Sequence, residues 1–457
     1  MNKNMSAGTK LSYFQVFAFA SPSLALMLLI SPIGLLPSIF AKYYGLSLVG
    51  LGAVLLFIRV FDSITDVLVG YFSDRYRLRH GTRKPFVVAG GLLALPCAYF
   101  LVNPPGGEVT ELSYALWSMS FYLCYTLFNI PKFTWAGELT MDPRERTLIF
   151  SVLAFVARFS GLLFFVIPFL PLFDTQAITP EVLNFSIITG ICLMLPTLLL
   201  MIKFAPDGLP PSCKEVEARS HSAAFRGYVA VFKMNKPFQL FAGAFGLAGL
   251  GLGLWGGLLF MYVDVFLGLS ELYAKMAIVG FVASLLLAPI AYKLAIGLGK
   301  RNSWVLSTVF IIGGMFYGSL LSPGEAGLAD LIALQMIFLI GSTFLAIISP
   351  AMLSDTVDYG SLKIENGARG VYFALFTFVL KIETALGVSL GLALAGWLGF
   401  DATAAQQSDD GIFAIRFTMC WLPMFISFLS LYFIVKTPLN EARMKIIGRR
   451  LVARSAK

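Results

Sequence analysis

Residues 47–70 read SLVGLGAVLLFIRVFDSITDVLVG. The run is apolar over the length a helix needs to cross a bilayer, about 20 residues. Inside it stand Arg59, Asp62 and Asp66. Outward from this stretch the apolar pattern recurs. Windows of about 19 residues pick out runs at 13–40, 47–70, 85–103, 112–135, 148–170 and 183–204, and then at 237–262, 272–296, 303–322, 329–353, 370–398 and 411–436. The composition agrees: of 457 residues, 58% are hydrophobic and 13% charged, whereas a soluble domain carries roughly a quarter charged residues. That balance excludes a soluble enzyme, a secreted disulfide scaffold and a disordered chain. An outer-membrane barrel would alternate polar and apolar positions in short strands. The expected fold class is an all-α membrane protein with twelve transmembrane helices in two six-helix bundles.

The charges outside the runs set the orientation. The odd-numbered gaps, Gly45–Ser47, Pro104–Glu111, Phe173–Val182, Asp264–Glu271, Ser322–Asp330 and Phe400–Asp410, lack Lys and Arg, whereas even-numbered gaps hold Arg75, Arg77, Arg79, Arg83 and Lys84, then Arg144 and Arg146, and further on Lys300, Arg301, Lys363 and Arg369. Positive loops stay cytoplasmic, so both termini are expected inside a bacterial inner (plasma) membrane. The net charge of +9 is thereby a topology signal, and no nucleic-acid partner is expected. The segment from Ala205 to Lys236 is the longest internal polar stretch and contains DGLPPS. It divides the chain into an N-terminal bundle (1–204), a cytoplasmic linker (205–236), a C-terminal bundle (237–436) and a cytoplasmic tail (437–457). Two six-helix halves joined by such a linker are the plan of the major facilitators, with a site near the bilayer midplane. The first apolar run is too long for a signal peptide and lacks a cleavage site. Four of the five cysteines lie in apolar runs, without metal-ligand spacing, and read as small hydrophobes.

An ionisable side chain at mid-membrane costs roughly 2.5–3.5 kcal/mol on insertion scales, so each needs a partner or a task. Seven stand well inside the runs: Arg59, Asp62, Asp66, Lys132, Arg158, Lys381 and Glu383. Arg59, Asp62 and Asp66 are spaced i, i+3, i+7 and share one helical face. Two carboxylates one turn apart with a nearby cation either share a proton or bind a hard cation such as Na⁺, for which oxygen ligands are suited. Thr65, Thr126 and Asn129 are candidates to complete the shell, with Arg59 balancing charge. The alternative is an ion-pair ladder in which Arg59 neutralises Asp62. Lys132, Arg158 and the i, i+4 pair Thr377 and Lys381 are candidate substrate contacts, one set in each half, although Lys132 near its run's end could also snorkel. Two mixed-charge loops at corresponding points, GELTMDPRERT and SDTVDYGSLKIENGARG, suggest a cytoplasmic gate of Glu138, Asp142, Arg144, Arg146, Asp355 and Asp358.

The same residues carry a family resemblance. Arg59-Val-Phe-Asp62-Ser-Ile-Thr-Asp66, then Gly70-Tyr-Phe-Ser-Asp74-Arg75 and Gly81-Thr-Arg-Lys-Pro85, resembles the signature of the glycoside–pentoside–hexuronide:cation symporters, the melibiose-permease-like branch of the major facilitators. Asn129-Ile-Pro131 with Glu138, Asp142 and Arg144-Glu-Arg146, and Asp355-Thr-Val-Asp358-Tyr-Gly360 with the Lys381 helix, extend the resemblance over most of the chain. It implies that Asp62, Asp66 and Thr126 match the cation site and that Thr377 and Lys381 match the polar pair of the eleventh helix. Leu26, Asn129 and Ala154 stand where the resemblance would place galactoside-binding acids and an arginine. A melibiose-like substrate is therefore not expected, and losing the fourth-helix acid favours H⁺ over Na⁺.

The expected function is symport of a small polar solute with H⁺ or Na⁺ by alternating access, in a protein working as a monomer without a cofactor. Four intramembrane bases against three acids favour an anionic glycoside or organic acid. Relatives that carry lysophospholipids make an amphipathic lipid the alternative substrate. No histidine lies in an apolar run, so a membrane-embedded enzyme is not expected.

Overall fold

The computed structural model describes residues 11–140, 142–208, 232, 234–363, 369–438, 443–444, 446–447 and 449–450. Most of the expected linker, with Cys213, and most of the tail lie outside the described residues. The chain divides into two compact units, one of residues 1–46 and 53–219 and the other of residues 47–52 and 220–457.

In the first unit the opening apolar run is broken into α1 (Tyr13–Ala20), α2 (Pro22–Ile33) and α3 (Leu36–Tyr44). Pro22 and Pro37 sit in the first turns of α2 and α3, where a missing backbone N–H costs nothing. Then come α4 (Leu48–His80), α5 (Lys84–Val102), α6 (Glu111–Glu138), α7 (Pro143–Val166) and α8 (Pro180–Phe204). The second unit contains α9 (Lys236–Met261), α10 (Ser270–Leu298), α11 (Lys300–Leu320), α12 (Leu328–Lys363), α13 (Arg369–Trp397), α14 (Asp409–Arg416) and α15 (Leu422–Lys436). A single π-turn extends α9, and another joins α14 to α15. Among the described residues the fold is all-α, as expected.

Eleven helices among the described residues are long and apolar enough to cross a membrane. The fourth expected span is present as α6, 28 residues long, but it falls outside that set. Its interior carries Ser118, Ser120, Thr126, Asn129 and Lys132, polar side chains that lower the hydropathy of its central stretch. Two helices also run past the ends of their apolar runs. α4 continues to His80, so Arg75, Arg77 and Arg79 are helical rather than loop residues. α12 continues to Lys363, which places Asp355 and Asp358 on a helix instead of in the expected loop. Hydropathy ends where charge begins, but backbone hydrogen bonding continues until something interrupts it. For α4 that is Gly81, whose positive φ of 75° lets its N–H close back on the Arg77 carbonyl.

Along α4 the buried positions Ile58, Asp62, Thr65, Val69, Ser73 and Arg77 recur every three or four residues. This is one helical stripe. Val60, Ile64, Val67 and Leu68 stand exposed on the other side, Val67 at 72%. Such apolar exposure is what a lipid-covered surface requires and a water-soluble one avoids. Asp62 therefore faces protein.

In lipid, helices associate through close packing more than through hydrophobic burial, so small residues lie at the contacts. α5 meets α6 at Gly90, where a Cβ would collide with the Phe128 amide and lie 2.8 Å from the Cys124 carbonyl. Replacing Gly90→Val should push the helices apart and cost on the order of 1–3 kcal/mol. A fall in the thermal midpoint of the purified protein, against no change for Gly256→Ala, where a Cβ meets nothing within 4 Å, checks this.

Candidate functional site

The buried stripe of α4 carries Asp62 and, one turn on, Asp66 at its half-buried flank. Across from them stands Thr126 of α6, 1% exposed. Its hydroxyl lies 3.1 Å from Asp62 Oδ1 and 3.0 Å from Asp66 Oδ1. A hydroxyl has one hydrogen and donates to one acceptor at a time. Two carboxylate oxygens drawn to one hydroxyl are like charges held together, an arrangement that a proton or cation between them relieves. The sequence pattern of paired acids with Thr126 is thus assembled in space. Thr65 is not turned to this point: its hydroxyl donates to the Asp62 backbone carbonyl.

Two expected neighbours are placed otherwise. Asn129 donates its amide to the Tyr125 hydroxyl, 3.3 Å away on its own helix, rather than completing a shell around Asp62 and Asp66. One turn separates Tyr125 from Asn129, so the bond is made within α6. Arg59 points its guanidinium at Tyr122, donating to the hydroxyl at 3.3 Å and lying 4.8 Å from the ring centroid. The aromatic face offsets part of the cost of a cation. Tyr122 was missed in the sequence, yet it stands one turn before Thr126 and so shares its face.

Lys132 is the clearest departure. It is 2% exposed and donates to the Ser23 hydroxyl at 2.7 Å, with Phe128 and Phe19 rings 4.8 and 5.6 Å from its Nζ. It neither snorkels nor presents a surface to a solute in this conformation; α1 and α2 have closed over it. Arg158 on α7 is exposed. In the second unit, Thr377 and Lys381 are both exposed on α13, and the Thr377 hydroxyl bonds back to the Phe373 carbonyl. Glu383, two residues on, is buried.

The residues expected to form a gate are engaged within their own units. Glu138, at the end of α6, accepts from Arg83 through Nε and Nη2 at 3.1 and 2.9 Å, and Arg77 Nε lies 2.9 Å from the same carboxylate. Arg83 also donates to Asp74 at 2.6 Å and Ser73 at 2.8 Å. Burial works against the Arg83 charge, but its bonds with Glu138 and Asp74 outweigh that and raise its pKa above the ordinary value. Asp142 caps α7 by accepting from the Arg144 N–H, and Arg146 donates to the Thr140 carbonyl. Asp355 takes both its oxygens to Lys300, at 2.7 and 2.8 Å, while Asp358 is half-buried farther along α12. Arg77 and Arg83 are functional candidates that counting loop charge could not single out, because their shared partner Glu138 lies more than fifty residues from either.

Solved structures share this architecture. A structure of the nucleoside transporter NupG superposes with a TM-score of 0.67 at 14% identity, covering 92% of this chain and 98% of that one. A D-xylose-proton symporter follows at 0.63 and 15%, covering 94% and 99%. At such identities the likeness establishes the fold alone, that of the major facilitators. The sequence model of a family described as MFS/sugar transport protein matches residues 18–441. The chain belongs to that family, within its branch of glycoside–pentoside–hexuronide:cation symporters. It is similar to the Glucuronide carrier protein homolog of Escherichia coli (strain K12), 26% identical over 98% of this chain and 96% of the relative. The Inner membrane symporter YicJ of the same organism is 26% identical over 84% and 83%. The protein is a multi-pass integral membrane protein and a secondary transporter.

The Glu138 cluster has a direct test. Replacing Glu138→Ala removes the carboxylate shared by two largely buried guanidiniums, and should cost on the order of 3 kcal/mol. The denaturation midpoint should drop accordingly, with Glu138→Asp falling between the variant and the parent.

Proposed function

We propose that this transporter is a cation-coupled symporter whose driving ion, H⁺ or Na⁺, binds at Asp62, Asp66 and Thr126, and whose substrate is an anionic glycoside of the uronide class. The observation that carries the reading is the Thr126 hydroxyl within 3.1 Å of both carboxylates on the protein-facing stripe of α4. Three hard oxygens at one point suit a proton or an alkali cation. With that ion bound, one acid is neutralised, and the intramembrane balance of four bases against three acids leans further positive. Arg158 and Lys381 are the exposed members of that set, and Thr377 lies one turn from Lys381. A carboxylate substituent is the group such cations would recognise. The name of the glucuronide-carrier relative supports the same class.

Ligands of the folded state raise its apparent stability. Purified protein should therefore melt higher with Na⁺ than with K⁺, or higher at acid than at alkaline pH. Asp62→Asn and Asp66→Asn should abolish whichever effect the parent shows. Thr126→Val, which keeps the shape and loses the oxygen, should weaken ion affinity about tenfold or more.

The same plate, with a glucuronide, a neutral glycoside and a lysophospholipid as added solutes, tests the substrate. Stabilisation by the glucuronide that fades in Lys381→Gln and Arg158→Gln is the expected result. Stabilisation by neutral glycoside or lysophospholipid alone would overturn the anionic assignment and leave the ion site standing.

A further inference from the structure

Glu383 enters that scheme only in the count of charges, with no role in binding ion or solute, and its surroundings are unusual. It lies on α13 with 6% of its surface exposed, and its Oε2 has no hydrogen-bond partner. The carboxyl is seated directly over Gly249 of α9, so that a Cβ on residue 249 would collide with Cδ and both oxygens. The two helices are drawn together farther along by Gly253 and Gly387, where a Cβ on either would come within 3.0 Å of the other's backbone.

The neighbouring helices bring no charge to this seat. From Phe241 to Met261, α9 has no ionisable side chain; its one cation, Lys236, begins the helix, about 20 Å away at 1.5 Å per residue. α13 also packs against α12, α14 and the π-turn after α14. On α12 the titratable positions are Asp330 at one end and Asp355, Asp358, Tyr359 and Lys363 at the other. α14 brings Asp409, Asp410 and Arg416, whose guanidinium donates to the Leu321 carbonyl and Ser322. The π-turn brings Cys420. On α13 itself the others are Arg369, Tyr372 and Lys381, the last with its side chain exposed. None bonds Glu383 Oε2. A carboxylate buried without a donor is among the costliest arrangements a protein can hold, whereas the neutral acid is tolerated.

We propose that Glu383 is a proton-binding site in the second unit, holding a proton while α13 is closed on Gly249 and exchanging it with water when that seam loosens. In the exchange the Oε2–H bond breaks, the proton passes to a water molecule, and the carboxylate remains until it is reprotonated. This site is separate from the one on α4, and its test requires neither a substrate nor the reading of Asp62 and Asp66.

The experiment is infrared spectroscopy of the purified full-length protein in proteoliposomes, as a difference between the parent and Glu383→Gln. A neutral-acid carbonyl band present in the parent, absent from the variant and shifted on transfer to D₂O is the expected result. Absence of any acid-band difference would show an ionised Glu383 and overturn the proposal. A band that never shifts in D₂O would mark a sealed structural acid and overturn it equally. Gly249→Ala keeps the acid but fills its seat, and should move or abolish the band. That variant provides the comparison if Glu383→Gln does not fold, and an unchanged band in it would count against the seat.

Discussion

A charge carried into hydrocarbon has no water to complete it, so the protein must supply every partner from its own side chains and backbone. The intramembrane charges are accommodated in different ways, and the difference separates their roles. Lys132 is enclosed by Ser23 and two aromatic rings. Arg59 rests on Tyr122. Asp62 and Asp66 both accept from the Thr126 hydroxyl. A cage closed by rings leaves little to exchange. Two acids sharing one hydroxyl bring hard oxygens together, and for that reason the proposed coupling site falls there.

α4 links this site to the rest of its unit. The stripe that carries Asp62 and Thr65 continues through Val69 and Ser73 to Arg77, and there the helix enters the cluster of Arg83, Asp74 and Glu138. One rigid helix thus has the ion site at its middle and a largely buried charge network near its end. The other face is apolar and exposed. A change of charge at Asp62 or Asp66 acts on an element anchored to α5 and α6 at Arg83 and Glu138, since the Arg77 and Arg83 contacts span all three helices.

Much of this was legible in the residues. The apolar runs mark the membrane helices because span length is a property of the bilayer, readable by counting. The i, i+3, i+7 spacing put Arg59, Asp62 and Asp66 on one face because helical period is local. Thr126 was legible through its place in a motif, and its hydroxyl lies within 3.1 Å of both carboxylates. Other features were out of reach. Hydropathy could not show that α4 and α12 continue past their apolar ends, because helical hydrogen bonds are indifferent to side-chain charge. Nor could it rank α6, whose polar interior is compatible with a bundle only when neighbours satisfy it.

The sequence by itself determined the class of protein, its long helices and the acids on which the proposed coupling depends, since these follow from periods and lengths within single segments. Only the tertiary structure decided which partner each charge takes: Tyr122 for Arg59, Ser23 for Lys132, Lys300 for Asp355, and bare glycine for Glu383. Those choices are made across helices, where a side chain's fate depends on what another segment brings within about 3 Å, and no spacing within one segment encodes that distance.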